Sequence, residues 1–165
     1  MAYFTKQEAY DSARKAKLST ETYSNKLESI VESQKYQYRF DVFLSHSVKD
    51  AEIVLGVVRI LEDMGQKVYV DWVVDQQLSR DSVTKETAET LRNRMNQSSR
   101  LLYLATDNAS SSKWMPWELG YFDGLKSGNV AILPLVDSAY SSFQGQEYLG
   151  LYPALGKDDL RRFLG

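Results

Sequence analysis

Four short apolar runs constrain the fold of this chain more than any other feature: FDVFLS (Phe40 to Ser45), KVYVDW (Lys67 to Trp72), RLLYLA (Arg100 to Ala105) and NVAILPLV (Asn129 to Val136). Each has strand length and is almost continuously apolar rather than alternating, so both of its faces must be buried. Helical patterns separate them. AEIVLGVVRILEDMG carries Ile53, Val57, Ile60 and Met64 on one stripe, with Val54, Val58 and Leu61 beside it, and stops at Gly65. VTKETAETLRNRMNQ and SKWMPWELGYFDG supply two further helices, and GKDDLRRFLG a terminal one. Apolar strands alternating with helices predict an α/β fold, a parallel sheet with helices on both faces. A short strand around Tyr148 to Tyr152 would bring the sheet to five. Ser47 to Asp50, after the first strand, has the spacing of a helix cap.

Composition narrows the function classes. A chain of 165 residues is long enough for one domain with a real core and an appendage, and 43% hydrophobic with 25% charged residues is an ordinary globular balance. A net charge of −2 gives no basic field for nucleic acid or an anionic membrane. There is no cysteine, which removes disulfides and thiolate chemistry, and with a single histidine, His46, a protein-built metal site is not expected. The N-terminus has charges every few residues and no stretch reaches the roughly 18 apolar residues of a membrane span, so a cytoplasmic, soluble protein is expected. Residues 1–38 are more polar than the rest and read as an N-terminal helical extension of one or two helices, with Ser19 or Thr20 at the break.

In parallel α/β sheets, ligands bind beyond the carboxyl ends of the strands. The helix starting near Ser112 follows the third apolar run, so its first turns lie at that edge. Trp114, Glu118, Tyr121 and Leu125 fall on one stripe of it, with Met115, Leu119 and Phe122 on the adjacent, core-facing stripe. Glu118 then sits between apolar sheet and open cleft. Partial desolvation would raise its pKa and make it a usable acid, base or nucleophile, while the positive helix end favours the ionised form. The plainer alternative is a solvated first-turn acid among packing aromatics. Pro116 requires either that the regular helix begins there or that Ser112 caps it. Ser45, His46, Asp71 and Trp72 lie at the same sheet edge. Asn108 and Ser110 to Ser112 form the loop before the helix, suited to turn and cap duty or to backbone contacts with a diphosphate. The arginines form no run with interleaved aromatics and read as solvated helix faces. There is no Gly-rich phosphate loop, dinucleotide fingerprint or nucleophile elbow.

FDVFLSHSVKD (Phe40 to Asp50) and SSSKWMPWELGYFDG (Ser110 to Gly124), in this order and separation, resemble the two signatures of the bacterial Toll/interleukin-1 receptor (TIR) domain. The resemblance covers residues 39–165, leaving 1–38 outside it. It implies a flavodoxin-like fold with five central parallel strands, and in many bacterial members an enzyme that cleaves the nicotinamide–ribose bond of NAD as substrate, with no further cofactor. The family's essential carboxylate falls on Glu118 and its nucleotide-lining tryptophan on Trp114, with Ser45, and less directly His46, contributing from the first strand; Asp71, Trp72 and Tyr121 are added as substrate contacts. The products would be nicotinamide with ADP-ribose or a cyclic isomer. The implied setting is antiphage signalling by a homo-oligomer whose product is sensed by a downstream effector. Two other readings are a non-catalytic TIR interaction module and an enzyme similar to nucleoside deoxyribosyltransferases. The loop after KVYVDW lacks the family's usual glycine and proline, which bears on whether residues 73–83 close the site.

Overall fold

A computed structural model describes residues 2–72 and 84–165. The elements run β1 (Phe4–Thr5), α1 (Lys6–Ala16), α2 (Tyr23–Gln34), β2 (Phe40–Ser45), α3 (Ala51–Asp63), β3 (Val68–Tyr69), α4 (Lys85–Asn96), β4 (Ser98–Ala105), α5 (Trp114–Leu125), β5 (Val130–Val136) and α6 (Lys157–Leu164). Short 3-10 turns lie at Ala109–Ser111 and Glu147–Leu151. Five strands form one sheet in the order β1-β5-β4-β2-β3, and every pairing is parallel.

The double-sided burial expected of the apolar runs is realised residue by residue. Val42, Leu44, Leu102, Leu104, Ala131 and Leu133 point to one face, where Ala9, Ala13, Val54, Val58, Leu61, Leu160 and Leu164 cover them. Phe43, Leu101, Tyr103, Val130 and Ile132 point to the other, under Leu91, Met95, Met115, Leu119 and Phe122. Most of the buried aromatic side chains collect on this second face, the one beneath α4 and α5, whereas Trp72 is the one fully buried aromatic among the described residues of the first.

The fifth strand is not where the sequence placed it. Residues around Tyr148 to Tyr152 form a 3-10 turn instead, and the edge beside β5 is shared by two other segments. Ala154 makes a single parallel bridge to Ile132, and the N-terminal Phe4 and Thr5 pair with Leu135 and Val136. Pro134, which has no N–H to donate, falls between the two pairing points on that side of β5, while on the other side it stands in register with Ala105 of β4. The second apolar run, KVYVDW, also pairs over less than its length, at Val68 and Tyr69 alone. Beyond it, the buried side chain of Gln34 takes the part of a neighbouring strand: its Nε2 donates to the Val70 carbonyl and its Oε1 accepts from the Val70 N–H, both at 2.9 Å.

Thr5 ends β1 and caps α1 in a reciprocal box with Glu8, which the polar N-terminal composition did not disclose. The break between α1 and α2 is capped by Thr22, accepting from the Asn25 N–H, rather than by Ser19 or Thr20. Helix α1 lies tightly on α3 because small residues meet there. A methyl group built on Gly56 would stand 1.9 Å from the Ala9 carbonyl oxygen. Asp41 accepts from the Lys67 N–H at 2.8 Å and so fastens the start of β2 to the approach to β3. Gly56→Ala is accordingly expected to cost about 1–3 kcal/mol, read as a lowered melting temperature by circular dichroism; an unchanged melting temperature would show that the α1–α3 contact is not closed.

Candidate active site

Each strand-to-helix connection delivers its residues to the carboxyl edge of the sheet. β2 ends at Ser45 and continues into His46; β3 continues into Asp71 and Trp72; β4 leads through the Ala109–Ser111 turn into α5, which carries Trp114 and Glu118. The regular helix begins at Trp114, and the Ser112 hydroxyl accepts from the Met115 N–H at 3.2 Å. Pro116 thus occupies the first turn, where its missing N–H has no intrahelical partner to lose. This resolves the choice in favour of a serine-capped helix.

Glu118 is 1% exposed. Its Oε1 accepts a 2.7 Å hydrogen bond from the Ser45 hydroxyl, a contact between residues 73 apart in the chain. Met115, Leu119 and Phe122 face the core as the spacing predicted, but Trp114 and Glu118 are buried beside them rather than standing on an open shoulder. The solvated first-turn acid is therefore excluded. A carboxylate in such surroundings depends on its hydrogen bonds, because burial without them costs several kcal/mol.

A second group forms next to the first. The His46 ring is fully buried, with Nε2 3.3 Å from Asp71 Oδ1 and Nδ1 3.2 Å from the Ser47 carbonyl oxygen. It also stacks on Trp72 at a centroid distance of 5.8 Å and 27° between planes. His46, Asp71 and Trp72 thus act as one unit joining the ends of β2 and β3. Gln34, by fixing Val70, holds the backbone immediately before that unit; sequence reasoning missed it, since an amide at a helix end has no distinctive spacing.

The aromatics of α5 divide differently from the stripe. Trp114 meets Trp117 edge to face at 5.3 Å, and Trp117 stacks on Tyr121 at 5.6 Å. The guanidinium of Arg92 lies over both Trp117 and Tyr121, and the Tyr121 hydroxyl takes a 3.4 Å contact from Asn96. Tyr121 is therefore packed against α4 through Arg92 and Asn96. Arg94 is likewise not a solvated side chain: it covers the rings of Phe40 and Tyr69 and donates to the Gln37 carbonyl. Beneath α5, burial and the neighbouring Tyr148 push the Tyr103 hydroxyl well above the usual tyrosine range, and the Glu118 charge adds to this.

A cavity of about 570 Å³ opens at the ends of β4 and β5 between Thr106, Ser110, Asp137, Gln146 and Lys6. Neither Ser45 nor Glu118 lines it, so cavity size and the position of the buried carboxylate do not coincide. Among the described residues no group of histidines and carboxylates is arranged to hold a metal ion, and no helix is long and apolar enough to cross a membrane. Residues 73–83, whose part in closing the site the sequence left open, lie outside the described residues.

A parallel five-stranded sheet with a serine-bound glutamate at its carboxyl edge is the setting in which the family comparison falls. Residues 42–162 match the TIR domain (TIR_2) model, and the chain belongs to that family. It is 53% identical over 119 residues to a Bacillus cereus (strain MSX-D12) protein named "Probable 3' cyclic ADP-D-ribose synthase ThsB'", covering 72% of this chain and 61% of that one. It is 33% identical over 94 residues to a Cytobacillus dafuensis protein named "Putative cyclic ADP-D-ribose synthase TIR2", covering 55% of this chain and 25% of the relative. The chain thus spans about three fifths and a quarter of the lengths of these two relatives.

Ser45→Ala removes a donor from a buried carboxylate and is expected to cost about 1.5–3 kcal/mol in urea denaturation. A loss below about 0.5 kcal/mol, the level of an ordinary surface change, would show that the Ser45–Glu118 bond is not formed.

Proposed function

We propose that this chain cleaves NAD at its nicotinamide–ribose bond, releasing nicotinamide and forming a cyclic ADP-ribose isomer. The observation that carries the reading is the 2.7 Å bond from Ser45 to Glu118, which aims a buried carboxylate at the ligand edge of the sheet. The names of both relatives support the product class.

The nicotinamide ring of NAD is a cationic pyridinium; it takes the electron pair of the bond to C1′ and departs as neutral nicotinamide, and the ribose develops oxocarbenium character. A fixed carboxylate stabilises that positive charge without waiting for solvent to reorganise. Glu118 takes this role, and Ser45 holds its Oε1 in one orientation. Trp114 lies one turn before Glu118 on α5, and the His46–Asp71–Trp72 unit joins the ends of β2 and β3 at the same sheet edge. A hydroxyl of the substrate's own second ribose then bonds to C1′ and loses its proton, which closes the ring; capture by water instead gives ADP-ribose. No other cofactor enters this scheme.

Residues 39–165 are taken as the catalytic TIR domain and 1–38 as its N-terminal extension. The wider proposal is a cytoplasmic enzyme of antiphage defence, working as a homo-oligomer through TIR–TIR contacts and signalling to an effector that senses the product. Neither nucleic acid nor membrane is a partner in this scheme. Nicotinamide release from NAD tests the chemistry. Glu118→Gln keeps the shape and is expected to lower the rate by about 10²–10³-fold; equal rates for the variant and the unaltered chain would overturn the assignment of Glu118.

A further inference from the structure

Asp50 occupies the N-cap position of α3, yet its side chain makes no capping hydrogen bond. This departs from the cap expected of the Ser47 to Asp50 spacing. The carboxylate turns instead across the sheet edge, where Oδ2 accepts from the Thr106 hydroxyl at 2.5 Å and Oδ1 from the Asn108 side-chain amide at 2.7 Å. Both partners lie 56 or more residues away, on the loop that runs from β4 into α5. Asp50 is 5% exposed and its two partners are half-buried, so these are charge-assisted bonds of the stronger kind, partly shielded from water.

The loop they hold has a single continuation. Asn108 starts the Ala109–Ser111 turn, the Ser111 hydroxyl donates back to the Asn108 carbonyl, and Ser112 then caps the helix that presents Trp114 and Glu118. Asp50 itself stands five residues after Ser45, whose hydroxyl binds Glu118. The two segments that meet at the Ser45–Glu118 contact are therefore joined a second time, through Asp50. Lys6 approaches the same loop from α1, with Nζ 2.9 Å from Asp107 and 3.1 Å from Asp137. Those two aspartates are almost fully exposed, and exposed pairs of this kind contribute little; the weight rests on Asp50.

We infer that Asp50 is a positioning residue for the NAD-cleaving site: by anchoring Thr106 and Asn108 it fixes the loop that sets where Glu118 and Trp114 stand relative to Ser45. The inference rests on the reading given under Proposed function for what the site does, but the anchoring can be measured without it. Loss of the anchor acts on the chemical step, since a reacting group displaced by about 1 Å can lose about 10²-fold in rate. Asn in place of Asp preserves the anchor, because its oxygen can accept from Asn108 and its amide can donate to the Thr106 hydroxyl.

The test combines amide hydrogen exchange with nicotinamide-release kinetics on the full chain carrying Asp50→Ala, Asp50→Asn or Thr106→Val, with Gly56→Ala as a destabilised control altered elsewhere. Asp50→Ala and Thr106→Val are expected to speed exchange in residues 106–113 by about tenfold or more, the scale of one charge-assisted bond. They should also lower kcat at least tenfold with KM changed less than about threefold, while Asp50→Asn recovers most of kcat. Gly56→Ala is expected to leave exchange at 106–113 and kcat unchanged. Exchange at 106–113 that is the same in Asp50→Ala as in the unaltered chain overturns the anchor, whether or not NAD is turned over. Faster exchange with an unchanged kcat overturns its role in positioning, and so does a kcat in Gly56→Ala that falls as far as in Asp50→Ala. Should Asp50→Ala fail to fold, Thr106→Val and Asp50→Asn decide by the same two readouts. An unaltered chain that releases no nicotinamide overturns the enzymatic reading instead, and the exchange measurement still decides the anchor.

Discussion

Strands that are apolar at nearly every residue must be covered on both faces, and in this chain that requirement governs everything that follows. Parallel pairing needs a crossover for each new strand, and the crossover helices are what cover the sheet. Because the strands all run parallel, their strand-to-helix turns gather along one edge. Ser45, Asp71 and the turn before Trp114 meet there because β2, β3 and β4 are neighbours in that sheet. The contact between Ser45 and Glu118 is thus a consequence of strand order. No local signal in either segment specifies it.

At that edge the energetics of polar burial take over. Ser45, His46, Asp50, Asp71 and Glu118 are all buried, and a buried polar group without a hydrogen bond costs more than a formed one returns. Each group therefore has a partner from another segment: Ser45 for Glu118, Asp71 for His46, Thr106 and Asn108 for Asp50. Linked in this way the site behaves as a network, in which removing one member disturbs the others. Such a network holds a carboxylate in one orientation before substrate arrives, which is the condition for stabilising a developing cation.

The parts of this architecture carried by periodicity were legible beforehand. The four central runs form strands, AEIVLGVVRILEDMG forms α3 and stops before Gly65, and the core stripe of α5 is Met115, Leu119 and Phe122. What periodicity could not carry is pairing at the edges. Phe4 and Thr5 are two residues inside a polar stretch, and their role as the fifth strand follows from the open edge of β5 and the fit of α1 against Gly56. The segment expected to fill that edge, near Tyr148, is reduced to one bridge at Ala154. In the site, Glu118, Trp114, Ser45, His46, Asp71 and Trp72 all fall at the expected edge. The stripe that carries Tyr121 did not report its contacts with Trp117, Arg92 and Asn96. Asp50 and Gln34 went unrecognised as linking residues because each binds a segment more than 30 residues away.

The central claim is that this edge breaks the nicotinamide bond of NAD and closes the resulting ribose cation internally. Mass analysis of the nucleotide product formed in ¹⁸O-labelled water addresses both halves at once. The account predicts a product with the mass of NAD less nicotinamide, isomeric with cyclic ADP-ribose and carrying no label. Linear ADP-ribose bearing one ¹⁸O as the main product would contradict internal closure, and unconsumed NAD in the presence of the folded protein would contradict the claim altogether.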